Sequence, residues 1–416
     1  MVISVLMWGA IGLVVLAVVC GAVGLIRQSM RPVAARLVFG ALALGAAPTV
    51  SLAWTLVTDP EPILGSGANW ARNHGLGVAV DRLELWWYSD PPSTEPAEQL
   101  DLSLPGVQTS TTVVTTTVAT TTVATSATTT VPTGLPWTST VPPATVFEPV
   151  DLVAVVEPAL DGEGEWLPIA DPGSDVGLWA TAIRPLPDFP SVTATAVALD
   201  PESVRFVLHN GTELPGGSWA AGPRLDLSVG AGAVAAFNGG FRFEHIEGGY
   251  VTEGVVVEPL AEGEATIAID ADGRLQIGVW GDDIDVAGGW VSVRQSLPPI
   301  VRGGENMVRG TWAELWGVDY GNVTFVFRSA VCQGPRGELI YAVAGDVDGA
   351  LMADVMISLG CETAMQLDIN GNWPQFAVVD EFGSEEPGLR LVDRRMSNQG
   401  RYANGSKKDF IGVYVR

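Results

Sequence analysis

A long stretch without any charged side chain divides this chain and limits what each part can fold into. Residues 102–147 contain no Asp, Glu, Lys or Arg, and Thr, Val, Ala and Pro dominate, as in TSTTVVTTTVATTTVATSATTTVPT. A low-complexity segment of this kind cannot assemble a packed core. We therefore expect a disordered linker, open to O-glycosylation, that holds the following domain away from the preceding part. A β-prone tract that packs on another element is the alternative.

Two apolar runs lie before the linker. Residues 2–26 and 37–58 carry no charged side chain, and each exceeds the roughly 20 residues that span the hydrocarbon core of a bilayer. A cleavable signal peptide is the alternative for the first run, but that run lacks a basic start. A single span followed by a buried apolar helix is the alternative for the pair. The runs favour two transmembrane helices.

The connector between these runs indicates their orientation. It holds Arg27, Arg31 and Arg36 and no acidic residue. Because positive connectors stay in the cytoplasm, both ends of the hairpin are expected outside. The chain is thus predicted to be a two-pass protein of the cell membrane, with everything after residue 58 extracytoplasmic.

The acidic balance of the chain excludes some partners. A formal net charge of −25 argues against nucleic acid, which requires clustered Lys and Arg. Anchoring must then come from residues 2–26 and 37–58. A short membrane-proximal region is expected at 59–101, and its aromatic stretch 83–88 fits either a membrane-interface belt or a small packed strand.

The segment 150–416 has the pattern of a globular extracellular domain. Short β-rich runs alternate with Gly, Asp and Asn turns, and the predicted strands cover 203–208, 232–237, 265–269, 275–280, 323–331, 339–344, 364–369 and 410–415. Tight hairpins are predicted at 270–273 and 334–337. A helix is predicted at 350–359, ended by a left-handed Gly360. Strand-helix-strand order beside hairpins predicts an α+β fold, a mixed β-sheet domain with flanking helices.

The cysteines leave one question open. Cys332 and Cys361 are the pair in the exported part of the chain, and Cys20 lies in the first apolar run. An oxidising compartment allows the pair to bond. Two separate buried thiols are an equal alternative, because bonding requires Cα atoms within roughly 7 Å.

Polar residues follow several of the predicted strands, which is where such scaffolds often place functional groups. The first group is the turn Asn238-Gly239-Gly240, whose alternative is an ordinary hairpin turn. The other groups are Arg328, the pair Asp346 and Asp348, and the pair Asp368 and Asn370.

These side chains suit glycosidase or anion chemistry. The carboxylates could serve as general acid and base, and Arg328 could hold a phosphate or a sugar oxygen. The four oxygen-bearing side chains after residue 345 could also hold Ca²⁺ or Mg²⁺, although their spacing is not that of an EF-hand loop. His245 is either an acid or base near the first turn or a surface histidine. The alternative for Asp348 is a helix cap, and that for Arg328 is a core ion pair.

The ordered set of motifs resembles the phosphodiester glycosidase domain family, that of the lysosomal uncovering enzyme. The matching segments are AFNGGF, GYVTEGVVV, AIDADGRL, VRQSLPPIVRGGE, FVFRSAV, ELIYAVAGDVDG, LMADVMISLGC and AMQLDINGNW. The resemblance covers roughly residues 231–373. It implies hydrolysis of a sugar-1-phosphodiester, with a phosphate-linked glycan as substrate.

On this resemblance, Asp368, Asp346 and Arg328 are the expected catalytic residues. The expected substrate-binding residues are Asn238, Gly239, Gly240, Asn370, Asp348, Glu253 and His245. The family's Asp-Gly-Gly-Gly-Ser turn is replaced here by Asp368-Ile369-Asn370-Gly371-Asn372. The leading hypothesis is a membrane-tethered hydrolase of cell-envelope glycans, and the alternative is a non-catalytic glycan-binding or structural module.

Overall fold

A computed structural model describes residues 89–103, 147–170, 176–311, 324–369, 371–380 and 387–416, together with parts of 51–83. The chain divides into two compact units, residues 1–80 and 81–416. In the first unit, the described residues are helical and include a π-helical turn, Arg72–Leu76. No helix among the described residues is long and apolar enough to cross a membrane. The predicted span 2–26 and most of 37–58 lie outside the described residues, as does most of the aromatic stretch 83–88.

The second unit is mostly β-sheet with few helices. Its largest sheet has eight strands in the spatial order β1-β2-β3-β14-β13-β15-β11-β12. These strands are β1 Leu167–Pro168, β2 Leu178–Ile183, β3 Ala194–Leu199, β11 Val301–Arg302, β12 Glu305–Asn306, β13 Val326–Gln333, β14 Leu339–Val347 and β15 Thr363–Ile369.

Two five-stranded sheets complete the unit, in the orders β7-β6-β10-β8-β9 and β17-β16-β5-β18-β4. The first contains β6 Tyr250–Thr252, β7 Val255–Glu258, β8 Ala265–Ile269, β9 Leu275–Val279 and β10 Ser292–Gln295. The second contains β4 Val204–His209, β5 Ala233–Asn238, β16 Phe376–Asp380, β17 Gly388–Leu391 and β18 Phe410–Val415. The helices are α1 Gly349–Ser358, α2 Arg401–Asn404 and the 3-10 turns Phe243–His245 and Val286–Gly288.

The central strands read as nearly continuous apolar runs because both of their faces are covered. In β14, Leu339, Tyr341 and Val343 pack in a core shared with the two smaller sheets. The alternate residues Ile340 and Ala342 pack with helix α1 on the opposite face. A strand buried on both faces loses the apolar-polar alternation of a surface strand.

Helix α1 begins and ends as its sequence predicts. The Asp348 carboxylate accepts a hydrogen bond from the backbone N–H of Leu351 at 2.8 Å, which caps the first turn. Gly360 has φ +84°, and the Cys361 N–H donates to the carbonyl of Met356 at 3.1 Å. This is the left-handed glycine cap expected at residue 360.

The expected mixed sheet is wrong in one respect. Every ladder between the described strands is antiparallel. Helix α1 does connect two strands that run in the same direction, β14 and β15. However, β13 lies between them and pairs with each in the antiparallel sense, so the crossover produces no parallel ladder.

The residues before the linker pack on the domain that follows it. We call residues 89–103 the N-terminal strap. Its Ser103 N–H donates to the carbonyl of Val392 at 2.8 Å, and the Asp101 carbonyl accepts from the backbone of Arg394 at 3.1 Å. The strap therefore belongs to the compact unit 81–416, which the sequence had divided at the linker.

The far end of the linker packs on the same unit. The Phe147 ring meets the Trp179 ring edge-on, with their centres 5.6 Å apart, and the Arg336 guanidinium lies 4.6 Å from the centre of the Phe147 ring. Both described flanks of the predicted linker therefore pack on one unit. Residues 104–146 themselves lie outside the described residues.

A disulfide joins Cys332 of β13 to Cys361 after α1, and their Cα atoms are 5.9 Å apart. The two sulfurs lie in the core between the helix and the large sheet. The bond therefore ties α1 to the strand beneath it, which answers the question that spacing alone left open.

Candidate active site

Asn238, the first predicted site residue, connects the sheet that contains β5 to the large sheet through side-chain hydrogen bonds. Asn238 ends β5 and is only 5% exposed. Its side-chain nitrogen donates to the Gly239 carbonyl and to the Ser329 hydroxyl, both at 3.0 Å. Its side-chain oxygen accepts from the Tyr341 hydroxyl at 2.8 Å and from the Gln375 N–H at 3.0 Å. All four hydrogen-bonding positions of the amide are thus occupied by protein, so the expected contact with substrate is not supported for this side chain.

Asp368, which is next to the end of β15, forms a buried ion pair with Lys408. The lysine Nζ donates to Asp368 Oδ2, and Oδ1 accepts from the Ile369 N–H at 3.0 Å. The two side chains are 9% and 5% exposed. The Asp368 N–H donates to the Gly239 carbonyl at 3.1 Å, which places this pair against the Asn-Gly-Gly turn.

The environment of Lys408 weakens its hold on a proton. Burial lowers the pKa of Lys408 well below its usual range, and the nearby Arg242 cation acts in the same direction. The contact with the Asp368 carboxylate opposes both by favouring the ammonium form. A buried lysine with a lowered pKa beside a carboxylate is a candidate acid-base group.

A second buried ion pair lies behind the same turn. Arg294 Nε donates to Asp409 Oδ2 at 2.8 Å, and both side chains are fully buried. The remaining guanidinium nitrogens donate to the carbonyls of Phe241 and Gln295. The arginine thereby links strand β10 to the turn and to the residue that follows Lys408.

The two glycines of the turn are required by this packing. A Cβ on Gly239 would lie 2.1 Å from Asp409 Oδ2. A Cβ on Gly240 would lie 3.2 Å from Arg294 Cζ and 3.3 Å from the Ser296 Oγ. The glycines thus let charged side chains approach the backbone closely. The substrate-binding role expected for Gly239 and Gly240 has this structural alternative.

The turn after Asp368 is held by cations. The Lys408 Nζ lies 4.8 Å and the Arg401 Cζ 4.9 Å from the centre of the Trp373 ring. Arg401 also donates to the carbonyls of Asn372 and Trp373. This chain therefore fixes the turn with an indole and an arginine.

Two further basic side chains lie at the solvent edge of the cluster. Arg242 pairs with Glu213 at 3.6 Å and with Glu244 at 4.0 Å. Lys407 pairs with Glu213 at 3.7 Å. Both basic side chains are 30% exposed, so an approaching anion meets positive charge that is only loosely paired.

Arg328 pairs with Ile369, the residue after Asp368, and its side chain is held by protein acceptors. Its nitrogens donate to the carbonyl oxygens of Val347 at 2.8 Å and Thr324 at 2.9 Å, and to the Gln366 amide oxygen at 3.2 Å. It is fully buried, and burial lowers the pKa of Arg328 to about 10. These contacts give Arg328 a structural role, and the phosphate contact expected of it stays a prediction.

The two aspartates around residue 347 have separate roles. Asp348 caps α1, as its structural alternative predicted, and burial raises the pKa of its carboxyl. Asp346 is exposed, has φ +53°, and lines a cavity of about 490 Å³ with Arg394 and Arg395. The described lining of that cavity does not include Asp368, so the expected partnership of Asp346 with Asp368 in one pocket is not observed.

The remaining predicted residues lie on turns. Glu253 joins β6 to β7 with φ +51°, is exposed, and accepts a hydrogen bond from the Ala221 N–H at 3.0 Å. His245 is half-buried in the 3-10 turn that follows the Asn-Gly-Gly turn. Asn370 lies outside the described residues.

The expected divalent-cation set is dispersed among these roles. Asp348 caps a helix, Asp368 is paired with Lys408, and Asp346 lines a different cavity. Within the described parts of the chain, no group of three or more His, Cys, Asp or Glu is placed to hold a metal ion. The Ca²⁺ or Mg²⁺ site stays a prediction.

The structure therefore brings the Asn-Gly-Gly turn and Asp368 together and adds three residues that sequence reasoning missed. These are Arg294, Lys408 and Asp409. A signal existed, since VSVRQS places an arginine inside an apolar strand and SKKDF places charges just before the last strand. A charge in such a setting requires a buried partner.

Comparison with known proteins gives a family match that includes Asn238, Arg294 and Asp368 of this cluster and ends before Lys408 and Asp409. Residues 231–368 match the family model described as phosphodiester glycosidase, which confirms the family resemblance. The solved catalytic domain of zebrafish N-acetylglucosamine-1-phosphodiester alpha-N-acetylglucosaminidase, auto-inhibited by its pro-peptide, is 18% identical. That alignment covers 58% of this chain and 83% of that chain, with a TM-score of 0.37.

A hypothetical protein from Synechocystis is also similar, at 12% identity and a TM-score of 0.37. Its alignment covers 57% of this chain and 64% of that chain. A search of curated proteins finds no match.

Proposed function

We propose that the domain hydrolyses sugar-1-phosphodiester bonds at the Asp368–Lys408 pair. The observation that supports this most directly is a buried carboxylate-ammonium pair whose carboxylate, Asp368, is the last residue of the segment that matches the phosphodiester glycosidase family, while Lys408 lies beyond that segment. The second ion pair, Arg294–Asp409, holds the backbone next to Lys408 against the Asn-Gly-Gly turn. Fixed charges of this kind favour charge development in a transition state without reorganisation.

The chemistry follows from the charges of the site. A phosphodiester carries one negative charge, and Arg242 and Lys407 at the solvent edge attract it. As the bond between the anomeric carbon and the phosphate oxygen breaks, the electron pair leaves with the phosphate, and the Lys408 ammonium stabilises the added charge. Water adds to the anomeric carbon, and its proton passes to the Asp368 carboxylate. The products are a free sugar and a phosphate monoester.

A second candidate function is a non-catalytic glycan-binding or structural module. The observation in its favour is that both carboxylate oxygens of Asp368 are engaged, one by Lys408 and one by the Ile369 N–H. A carboxylate that never leaves these partners would bind a glycan nearby without turnover. Activity measurements separate the two functions, because only an enzyme releases sugar.

The test uses the purified full chain and a panel of methyl diesters of sugar-1-phosphates. We expect Asp368→Asn and Lys408→Met each to lower kcat at least roughly 100-fold, the lower range for acid-base groups. The control is Asp380→Asn, which breaks the half-exposed pair with Arg390 and should leave kcat unchanged. Wild-type hydrolysis that persists in Asp368→Asn would remove this residue from the mechanism, and absence of any turnover would favour the binding module.

We further propose that the domain is extracytoplasmic and tethered by residues 2–26 and 37–58. The apolar runs and the three connector arginines support this topology, and the Cys332–Cys361 disulfide suits an oxidising compartment. Protease added to intact cells should digest the domain while an epitope in the connector 27–36 stays protected. A protected domain would overturn this placement.

A further inference from the structure

The cavity that contains Asp346 is lined by neither Asp368 nor Lys408, although Gly371 of the turn after Asp368 belongs to its lining. Its volume is about 490 Å³, which falls within the range of small-molecule sites. One wall comes from the N-terminal strap, with Gln99 and Asp101. The opposite wall comes from Phe327, Asp346 and Arg395. The site therefore exists only where the strap packs on the domain.

The walls of this cavity are rigid. Arg395 donates through Nε and Nη2 to the fully buried Asp393 carboxylate at 3.0 and 2.6 Å. Its Nη1 donates to the Thr193 hydroxyl at 3.0 Å and pairs with Asp101 at 3.1 Å. Its guanidinium lies 5.1 Å from the centre of the Phe327 ring. These contacts fix both the domain wall and the strap wall before any ligand binds.

Asp346 differs from these residues in its backbone conformation and in the lack of a bonded partner for its side chain among the described residues. Its φ of +53° is a conformation that non-glycine residues seldom adopt, and such strain clusters at functional sites. Its carboxylate has no hydrogen bond or ion pair among the described residues, although the Arg395 charge is near enough to interact with it. A free carboxylate at the mouth of a preformed cavity is available to a ligand.

The charges of the cavity define the class of ligand. Arg394 and Arg395 are already balanced by Asp101 and Asp393, so the unpaired Asp346 leaves an excess of negative charge that disfavours phosphate. The lining also contains Glu98, a further carboxylate, and the hydroxyls and amide of Ser191, Thr193 and Gln99. Carboxylate, hydroxyl and amide groups around an aromatic ring suit a neutral polyhydroxylated ligand.

We propose that this cavity binds a neutral oligosaccharide, about a disaccharide in size, with Asp346 accepting hydrogen bonds from sugar hydroxyls. Neither Asp368 nor Lys408 lines the described site, and binding there does not require hydrolysis. The N-terminal strap is consequently part of a binding site as well as a connection to the linker.

The test measures binding to the full chain by saturation-transfer NMR and calorimetry. The probes are maltose, cellobiose, lactose and N,N′-diacetylchitobiose, with inorganic phosphate as the anionic comparator. We expect at least one disaccharide to bind and phosphate not to compete. Asp346→Gly should weaken that binding roughly 10-fold or more, because hydrogen bonds to a charged acceptor are lost. Glycine suits a positive φ, so this variant retains the fold.

Asn398→Gly is the matched control, since Asn398 has φ +57° and lies outside the described lining of the cavity. It should leave disaccharide binding unchanged. Lys408→Met should also bind normally, so failure of hydrolysis and failure of this site are distinguishable. The proposal is overturned if none of the four disaccharides binds, if phosphate binds in their place, or if Asp346→Gly binds as tightly as wild type.

Discussion

Replacing Gly239 by alanine should break the packing that holds the catalytic cluster together. The new Cβ would lie 2.1 Å from Asp409 Oδ2 and 2.9 Å from the Asp409 carbonyl oxygen. Gly239 does not have a positive φ, so the effect arises from this contact alone. Asp409 cannot yield freely, because its carboxylate is fully buried and paired with Arg294 at 2.8 Å.

The size of the expected loss in stability depends on how the protein relieves the clash between the new Cβ and Asp409. Overpacking a core by one methyl group costs about 1–3 kcal/mol, and separating the buried ion pair raises the loss to about 3–5 kcal/mol. We therefore expect Gly239→Ala to lower the free energy of unfolding by at least about 1 kcal/mol. It should also lower kcat, since the backbone carbonyl of Gly239 positions Asp368.

Urea unfolding followed by near-UV circular dichroism measures this loss. The control is Gly388→Ala, at a glycine whose added Cβ meets nothing within 4 Å and whose φ is not positive, so its unfolding midpoint should stay within error of wild type or rise slightly. A Gly239→Ala protein as stable as Gly388→Ala would refute the idea that close packing of the ion pair requires glycine.

Three further predictions concern stability. Cys332→Ser should lower the free energy of unfolding by about 3–4 kcal/mol, because the disulfide closes a loop with a sequence separation of 29; denaturant titration with and without reductant checks this. Asp348→Ala should cost about 1 kcal/mol through the lost helix cap and Asp348→Asn much less, as thermal unfolding will show. Burial, with help from Glu247, raises the pKa of Glu264 from 4.5 to about 7. The folded state therefore binds this proton more tightly than the unfolded state, so the stability it contributes is present below pH 4.5 and is lost as the pH rises through 7. Unfolding curves from pH 4 to 8 should show this loss in wild type and not in Glu264→Gln.

The strands and hairpins could be predicted because their information is local. Residues 265–269 and 410–415 were predicted with the bounds that the structure has, since each is an apolar run between turns. The helix after β14 was predicted within one residue at each end, because an aspartate cap and a glycine stop flank it.

The site could be predicted only in part because its pairs join distant residues. Lys408 is 40 positions from Asp368 along the chain, and Asp409 is 115 positions from Arg294. No local pattern encodes which charge meets which carboxylate. Arg328 and Asp346 were predicted as site residues because they lie near strand ends. The direction of each side chain, which the sequence does not give, determines what it contacts. Arg328 faces protein acceptors in the core, and Asp346 faces a separate cavity.

The sequence also does not predict where the N-terminal strap packs. Composition predicts where a packed core cannot form, but it does not say whether the two flanks pack on the same unit. Ser103 and Asp101 bind the segment around Arg394 through backbone hydrogen bonds, which are nearly independent of residue type. The Asp101 side chain also pairs with Arg394 and Arg395, but no local pattern indicates ion pairs between residues so distant along the chain.

The most direct test of the central claim is to run the reaction in ¹⁸O-labelled water. The wild-type full chain is incubated with sugar-1-phosphate methyl diesters, and mass spectrometry locates the label in the products. Our account predicts ¹⁸O in the released sugar, since water adds to the anomeric carbon beside Asp368, and no label in the phosphate monoester. Label in the phosphate, or no sugar released from any diester, would contradict it.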